Sequence, residues 1–213
     1  MLDVVLKYYP DWTATQLGQL EQLDGLYRKW NAKINVISRK DIDYLYLHHV
    51  LHALSIGRAM PFQPNSRILD LGTGGGFPGI PLAIRFPEVH FTLIDGTRKK
   101  IQVVREIVEA LGLTNVHARQ IRAEEWKGEK FDFVVSRAVA SLDKLVEWSF
   151  PLLSRHERNI FPNGLWTLKG GRVEDEIQSL PNPGEHYWEV IPLSEVYEEA
   201  WFEEKYLLYL QGA

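Results

Sequence analysis

The apolar positions of the chain change rhythm once, near residue 65. Before that point Leu17, Leu20, Leu23, Leu26, Tyr27 and Trp30 recur at three- and four-residue spacing. That spacing puts them on one face of a helix, and Thr13 or Thr15 stands where a cap belongs. A second helix is predicted from Asp41 to Met60, carrying Leu45, Val50, Leu51, Leu54 and Ile56, before Pro61 and Pro64 break the chain. From Arg67 short apolar runs alternate with amphipathic stretches. The runs Arg67–Leu71, His90–Asp95, Asn115–Gln120, Phe131–Ser136 and Leu165–Lys169 are predicted strands. The stretches Pro78–Arg85, Lys99–Leu111 and Ser141–Leu153 are predicted helices. Alternation at this spacing implies βαβ units and a parallel sheet. His186–Pro192 and Lys205–Leu210 follow without a long helix between them, as an antiparallel hairpin at a sheet edge would. The expected fold class is α/β and Rossmann-like, a mostly parallel sheet with an antiparallel edge strand. Residues 65–213 would form it, behind an N-terminal helical extension of residues 1–64.

The first predicted strand runs into a loop with five glycines in eight positions: Gly72, Gly74, Gly75, Gly76 and Gly79. An ordinary tight turn needs one. A strand, a glycine-rich loop and a helix together let a ligand approach the main chain at Gly72 and Gly74. Gly74–Gly79 also matches the dinucleotide pattern G-x-G-x-x-G, which alone is a weak signal. Two features lean away from NAD. Asp70 stands at the strand end, where a carboxylate would repel a pyrophosphate but suit a ligand with a cationic amino-acid portion. Pro78 and Pro81 remove N–H donors from the helix start that a pyrophosphate would seek. S-adenosylmethionine has a ribose, an adenine, a sulfonium and an α-ammonium but no phosphate, and it fits better. Asp95, ending the second strand, is placed to accept from the ribose hydroxyls, or else to cap the loop that Gly96 and Thr97 begin. Ala123 and Glu124, after the third strand, are placed for the adenine end, by main chain or by carboxylate.

The fourth strand ends in Ser136-Arg137-Ala138 and lacks the Asn/Asp-Pro-Pro-aromatic run of many amino-group methyltransferases. The chain has no cysteine, so no covalent thiol route to a ring carbon exists. An acceptor with a free lone pair, such as guanine N7, needs neither; alignment suffices. Arg137 is a candidate for guanine O6, a phosphate or the cofactor pocket, against a plain surface salt bridge. Lys169, ending the fifth strand, also points toward the crevice, against simple solvation of the sheet end. Phe77 is a candidate stacking platform or a core residue under the loop. His48 and His52 are four apart, but no third ligand accompanies them, so no metal is expected.

Composition narrows the classes. Apolar residues make up 45% and charged residues 24% of the 213, which excludes a disordered or fibrous chain. No stretch approaches the ~18 apolar residues of a membrane span. The N-terminal residues, with Asp3 and Lys7, do not read as a signal peptide, so the expected compartment is the cytoplasm. The net charge of −4 hides segregation: residues 173–213 carry −9 and residues 1–172 carry +5. Within the basic part, Arg28, Lys29, Lys33, Arg39 and Lys40 form one cluster, and Arg98, Lys99, Lys100 and Arg105 another. Such runs are commonly solvated helix faces. Beside a cofactor site they can also hold RNA phosphates.

The run Asp70-Leu-Gly-Thr-Gly-Gly-Gly-Phe-Pro-Gly-Ile-Pro-Leu-Ala-Ile84, with Ser136-Arg-Ala138 and Leu168-Lys-Gly170, resembles the ribosomal RNA small subunit methyltransferase G family. That family is also called glucose-inhibited division protein B. The likeness runs from about Trp30 to the last strand. It implies a methyltransferase domain over 65–213 that moves a methyl group from S-adenosylmethionine to N7 of a guanine in 16S rRNA. Residue by residue, it implies cofactor contacts at Gly72, Phe77, the Ala123–Glu124 pair and Arg137. The family's second N-terminal helix carries an Arg-His pair followed by Asp-Ser; this chain has His48-His49 and His52-Ala53. The implied partner is 16S rRNA or the small ribosomal subunit, with no membrane and no metal, and a monomer is expected. The alternatives are a small-molecule methyltransferase with the same cofactor residues, an NAD-dependent oxidoreductase and a non-catalytic RNA-binding module.

Overall fold

Seven strands form one sheet, seen in a computed structural model that describes residues 2–181, 184 and 186–212. Glu185, one of the acids counted above, lies outside them, as do the ends Met1 and Ala213 of the expected two-part division. The strands are β1 (Arg67–Leu71), β2 (His90–Asp95), β3 (Val116–Gln120), β4 (Phe133–Arg137), β5 (Gly164–Gly170), β6 (Trp188–Pro192) and β7 (Lys205–Gln211). Their spatial order is β3-β2-β1-β4-β5-β7-β6. The first five are parallel. β7 pairs antiparallel with β5, and β6 lies antiparallel outside it. The late apolar runs thus form the antiparallel edge the sequence predicts.

Strand geometry sends successive side chains to opposite faces, and both faces are covered. Ile68, Phe133, Val135 and Trp166 point into one core cluster. Leu69, Leu71, Val134 and Leu165 point into the other. The first cluster also holds Leu20, Leu23, Tyr27, Leu51 and Leu54, so the N-terminal helices share a core with the sheet.

Helices α1 (Asp3–Tyr8) and α2 (Ala14–Asn31) open the chain. Thr13, not Thr15, caps α2, in a reciprocal capping box with Gln16. The predicted second helix is not one α-helix. It is a 3₁₀ turn (Ile42–Tyr44), a π-helical stretch (Leu45–Leu51) and α3 (His52–Ala59). Apolar spacing cannot separate a five-residue from a four-residue hydrogen-bond ladder. Helices α4 (Gly79–Arg85) and α5 (Arg98–Ala110) follow β1 and β2, and α6 (Leu142–Ser149) follows β4. The predicted Ser141–Leu153 helix gives way after Ser149 to a 3₁₀ turn containing Pro151, which has no N–H to continue the ladder. The short α7 (Val173–Gln178) follows β5. Strand order reverses between β1 and β4, so their carboxyl ends open the crevice where α/β sheets bind ligands.

Candidate active site

The cofactor side of the crevice is built largely of main chain. Gly72, at φ +71°, turns the chain out of β1, and a Cβ there would lie 2.5 Å from Val139. Asp70 is fully buried under the loop. Its Oδ2 accepts from the Thr73 hydroxyl at 2.6 Å and from the Gly79 N–H at 2.8 Å. Burial pushes its carboxyl up to about 7, against the pull of those two bonds and of Arg137. This corrects the expectation that Asp70 faces the ligand with its charge: it ties the loop to the start of α4. Pro78 precedes α4 rather than opening it. The Gly79 N–H, which a pyrophosphate would need, is already bound to a carboxylate. The helix start is therefore neutralised from inside, and a phosphate gains little there.

Asp95 is buried at the tip of β2. Its Oδ2 accepts from Gly74 N at 3.1 Å, and its Oδ1 accepts from Thr97 N at 2.7 Å. Lys100 Nζ stands 3.6 Å away. Each carboxylate oxygen has a second lone pair, so the residue caps both loops and keeps acceptor capacity. Beside it opens a cavity of about 320 Å³, lined by Gly72, Asp95, Ala123, Glu124, Val139 and Trp148 among others. That volume lies within the range of small-molecule sites. Ala123 and Glu124 open a 3₁₀ turn after β3, with Ala123 buried and Glu124 exposed. Asp70 Oδ1 is buried and has no hydrogen-bond partner among the described residues. The lining fits S-adenosylmethionine: acceptors for ribose hydroxyls and no phosphate cradle.

The β4–β5 side is built of side chains from distant segments. Arg137 ends β4. It donates through Nη1 to the His48 carbonyl at 3.2 Å and through Nη2 to His49 Nδ1 at 2.9 Å. Its guanidinium lies 4.9 Å from the Phe77 ring centre. Burial pushes Arg137 down to about 10, against the pull of Asp70, Tyr27 and Asp41. His49 Nδ1 must accept from Arg137, so its Nε2–H donates to Asp41 Oδ2 at 2.5 Å. His48 Nδ1 donates to the other Asp41 oxygen at 2.6 Å. The π-helical turn thus lets two adjacent histidines share one carboxylate. Burial, and then the Arg137 charge, push His49 down to about 4. Ala138, next to Arg137, has φ +52°, a strained value for a residue with a Cβ.

Three sets of alternatives are narrowed here. Arg137 is not a free donor for O6 or phosphate; it bridges β4 to the π-helical stretch. Lys169 does not offer a free ammonium to the crevice. Its Nζ donates to the Ala140 carbonyl at 2.8 Å and to Glu176 Oε2 at 2.7 Å, because α7 returns a carboxylate to the end of β5. Phe77 is 3% exposed, so its ring is no open platform. It stacks on Tyr27 at 4.9 Å and meets His49 at 5.2 Å. The Tyr27 hydroxyl in turn donates to the Gly75 carbonyl at 2.7 Å. No group of three metal-ligating side chains occurs among the described residues; His48 and His52 both pack on Trp201. Asp41, Val139, Tyr27 and Trp201 were missed from sequence. Only Tyr27 carried a signal, its place on the apolar face of α2.

A sequence model described as rRNA small subunit methyltransferase G, the GidB family, matches residues 16–185. The chain belongs to this family. Among family members, a protein of Flavobacterium johnsoniae named ribosomal RNA small subunit methyltransferase G is 48% identical over 209 residues, 98% of this chain and 97% of its own. One of the same name from Bacteroides thetaiotaomicron is 50% identical over 210 residues, 99% of this chain and 100% of its own. The fold is shared more widely. TrmN from Thermus thermophilus superposes with a TM-score of 0.59 at 17% identity, over 77% of this chain and 49% of its own. A precorrin-6y C5,15-methyltransferase from Geobacter metallireducens gives 0.57 at 11%, over 84% and 92%. Against the Arg-His and Asp-Ser pattern that the resemblance implies for this family, the substitutions here are accommodated. Asp41 supplies a carboxylate to the His48–His49 pair, while His52, in the aspartate's place, packs against Trp201 with its Nε2 buried and unpartnered among the described residues.

Proposed function

We propose that this chain transfers a methyl group from S-adenosylmethionine to N7 of a guanine in 16S rRNA. The observation that carries the cofactor half is the cavity beside Gly72 and Asp95, together with a helix start whose Gly79 N–H is filled by Asp70. The acceptor half rests on family membership over nearly the full chain. S-adenosylmethionine, when bound, supplies a methyl group on a positively charged sulfur. Gly72, Gly74, Asp95, Ala123 and Glu124 would hold it. Guanine N7 has a free lone pair and no proton to lose, so the chain needs to supply alignment and a dry pocket rather than a general base. Arg137 acts here as a positioning residue for the wall between loop and π-helical stretch, and Lys169 for the loop after β4. N7 lies in a groove of duplex RNA that side chains reach poorly, so the acceptor would be unpaired or turned out of its stack. Residues 1–64 are the acceptor-side wall of one fold rather than a separate domain. A monomer suffices, because one chain supplies every residue named, and the cytoplasm is the compartment of the substrate.

The test is labelled-methyl transfer to 16S rRNA and to 30S particles, with mapping of the modified base. Label at N7 of one guanine is the expected result. Cofactor binding with no label in either RNA form would favour the small-molecule reading. Binding of NAD without S-adenosylmethionine, by calorimetry, would overturn the assignment.

A further inference from the structure

Three aromatic rings form a continuous stack on the acceptor side. Tyr44 lies on His48 with centroids 4.6 Å apart and planes 14° apart. His48 lies on Trp201 at 4.3 Å and 12°. Lys205 Nζ stands 5.0 Å from the Trp201 ring centre, and Lys205 is in register with Gly170 at the carboxyl end of β5. The stack therefore stands at the end of the sheet that carries the crevice. Its inner members are fixed. His48 is held by Asp41, and its carbonyl accepts from Arg137. Its outer member is not covered: Tyr44 is 53% exposed and has no second ring partner among the described residues.

A large aromatic ring left open at the end of a rigid stack has one face with unspent stacking energy. A membrane-inserting residue would have apolar neighbours, but here the approaches carry bases, and the adjacent acid Asp43 is paired with Arg28 at 2.9 Å. Arg39 and Lys40 are exposed in the turn that leads into Tyr44, whose Ser38 carbonyl accepts from the Asp41 and Ile42 N–H groups. Lys33 lies 5.1 Å over the Trp30 ring at the end of α2, the helix whose Arg28 pairs with Asp43. Aromatic faces interleaved with cations are how proteins hold single-stranded nucleic acid.

We propose that the open face of Tyr44 stacks an unpaired base of the RNA substrate, with His48 and Trp201 as its backing. The proposal rests on the reading of the chain as an rRNA methyltransferase and adds the surface that holds the RNA. Stacking is sequence-tolerant, since every base has a π face. Tyr44 thus grips the strand without choosing the base that is methylated.

The experiment measures methyl transfer to 30S particles lacking the modification, with substrate concentration varied, for the wild type, Tyr44→Ala and Tyr44→Phe. Tyr44→Ala is expected to raise KM for the particle between about fivefold and a hundredfold. S-adenosylmethionine affinity by calorimetry and the unfolding midpoint should stay unchanged. Tyr44→Phe, which keeps the ring, should restore KM to within about twofold of wild type. An unchanged KM in Tyr44→Ala overturns the proposal. So does an equal loss in Tyr44→Phe, which would mean a hydroxyl contact, and so does a matching loss of cofactor affinity or stability, which would mean a packing role. A wild type that binds S-adenosylmethionine but labels no RNA would instead remove the functional reading itself, and the stacking site with it.

Discussion

On the β1–β2–β3 side of the crevice the walls are mostly main chain, while on the β4–β5 side they are side chains from three distant segments. The first side is made by Gly72, Gly74, the Asp95 carboxylate and the turn at Ala123. All of these lie within three residues of a strand end. The second is made by Arg137 from β4, Asp41 and the histidines from the 3₁₀ and π-helical turns, and Trp201 from the segment before β7. A main-chain site binds what every relative must bind, through groups a substitution cannot remove. A side-chain site is tuned by substitution. This chain's own departures, His48 and His52, fall on the second side. The two sides meet at Phe77, whose ring touches Tyr27, His49 and Arg137.

The sharpest way to break the second side alone is Arg137→Ala. It leaves the His48 carbonyl and His49 Nδ1 without their donor and opens space over Phe77. Each buried acceptor left without its donor costs about 1–3 kcal/mol. Denaturant unfolding should show a loss that sums the two. Arg137→Lys should recover less than half of it, because an ammonium cannot span both acceptors as the flat guanidinium does. Full recovery by lysine would mean that charge, not the fork, matters.

The two sides should also titrate in opposite senses. His49 has an ordinary value of 6.5 and sits at about 4 when folded. As pH falls below 6.5 the unfolded chain takes up this proton first, so folding is penalised progressively down to about pH 4. Asp70 has an ordinary value of 3.8 and sits at about 7 when folded. As pH falls below 7 the folded chain takes up this proton first, so folding is favoured progressively down to about pH 3.8. The contribution is about 3 kcal/mol for His49 and about 4 kcal/mol for Asp70 over their windows. In the wild type they largely offset each other. Asp70→Asn should therefore steepen the loss of stability between pH 6.5 and 4, and His49→Gln should flatten or reverse it. Differences between each variant and the wild type isolate one group, since buried His52 shifts in the same direction in all three. Equal pH profiles in both variants would refute the opposition.

On the first side, Gly72→Ala places a Cβ 2.5 Å from Val139 at a φ of +71°. Strain at such a residue costs of order 1–3 kcal/mol. Part of it is relieved here, because Val139 is partly exposed and can move. The expected result is a roughly tenfold loss of S-adenosylmethionine affinity by calorimetry, with RNA affinity retained. A parallel loss of RNA affinity would show that the two sides are not separable at Gly72.

What the sequence disclosed follows the same division. The strands, their order of appearance and the antiparallel edge were legible because alternation and glycine content are local signals. The placement of Gly72, Gly74, Asp95, Ala123 and Glu124 at the mouth of the crevice was legible because each sits at a fixed offset from a strand end. The inward turn of Asp70 was not, since its choice between ligand and loop depends on the Gly79 N–H nine residues away. Neither was the clamp on Lys169, because nothing in the Leu-Lys-Gly run says that α7 will return Glu176 to it. The π-helical turn was hidden as well: its apolar residues fit an α-helix, and the main-chain ladder that distinguishes the two leaves no mark on apolar spacing.

The smallest expected effect concerns that clamp. Glu176 Oε2 accepts from Lys169 and also from Leu142 N at 2.9 Å, so one carboxylate joins the end of β5 to the start of α6. Glu176 is about a third exposed and can hydrate once unpaired, which keeps the cost near 1 kcal/mol. If Lys169 works only by holding the loop after β4, then Lys169→Met and Glu176→Gln should produce the same modest fall in kcat. KM for RNA and cofactor affinity should be unchanged. The double variant should then be no worse than either single one, because both remove the same interaction. A Lys169→Met defect much larger than that of Glu176→Gln, expressed in KM for RNA, would instead place the ammonium against the substrate. The acceptor side would then contain a cation that reaches the RNA directly, and its side chains would be contacts rather than scaffolding.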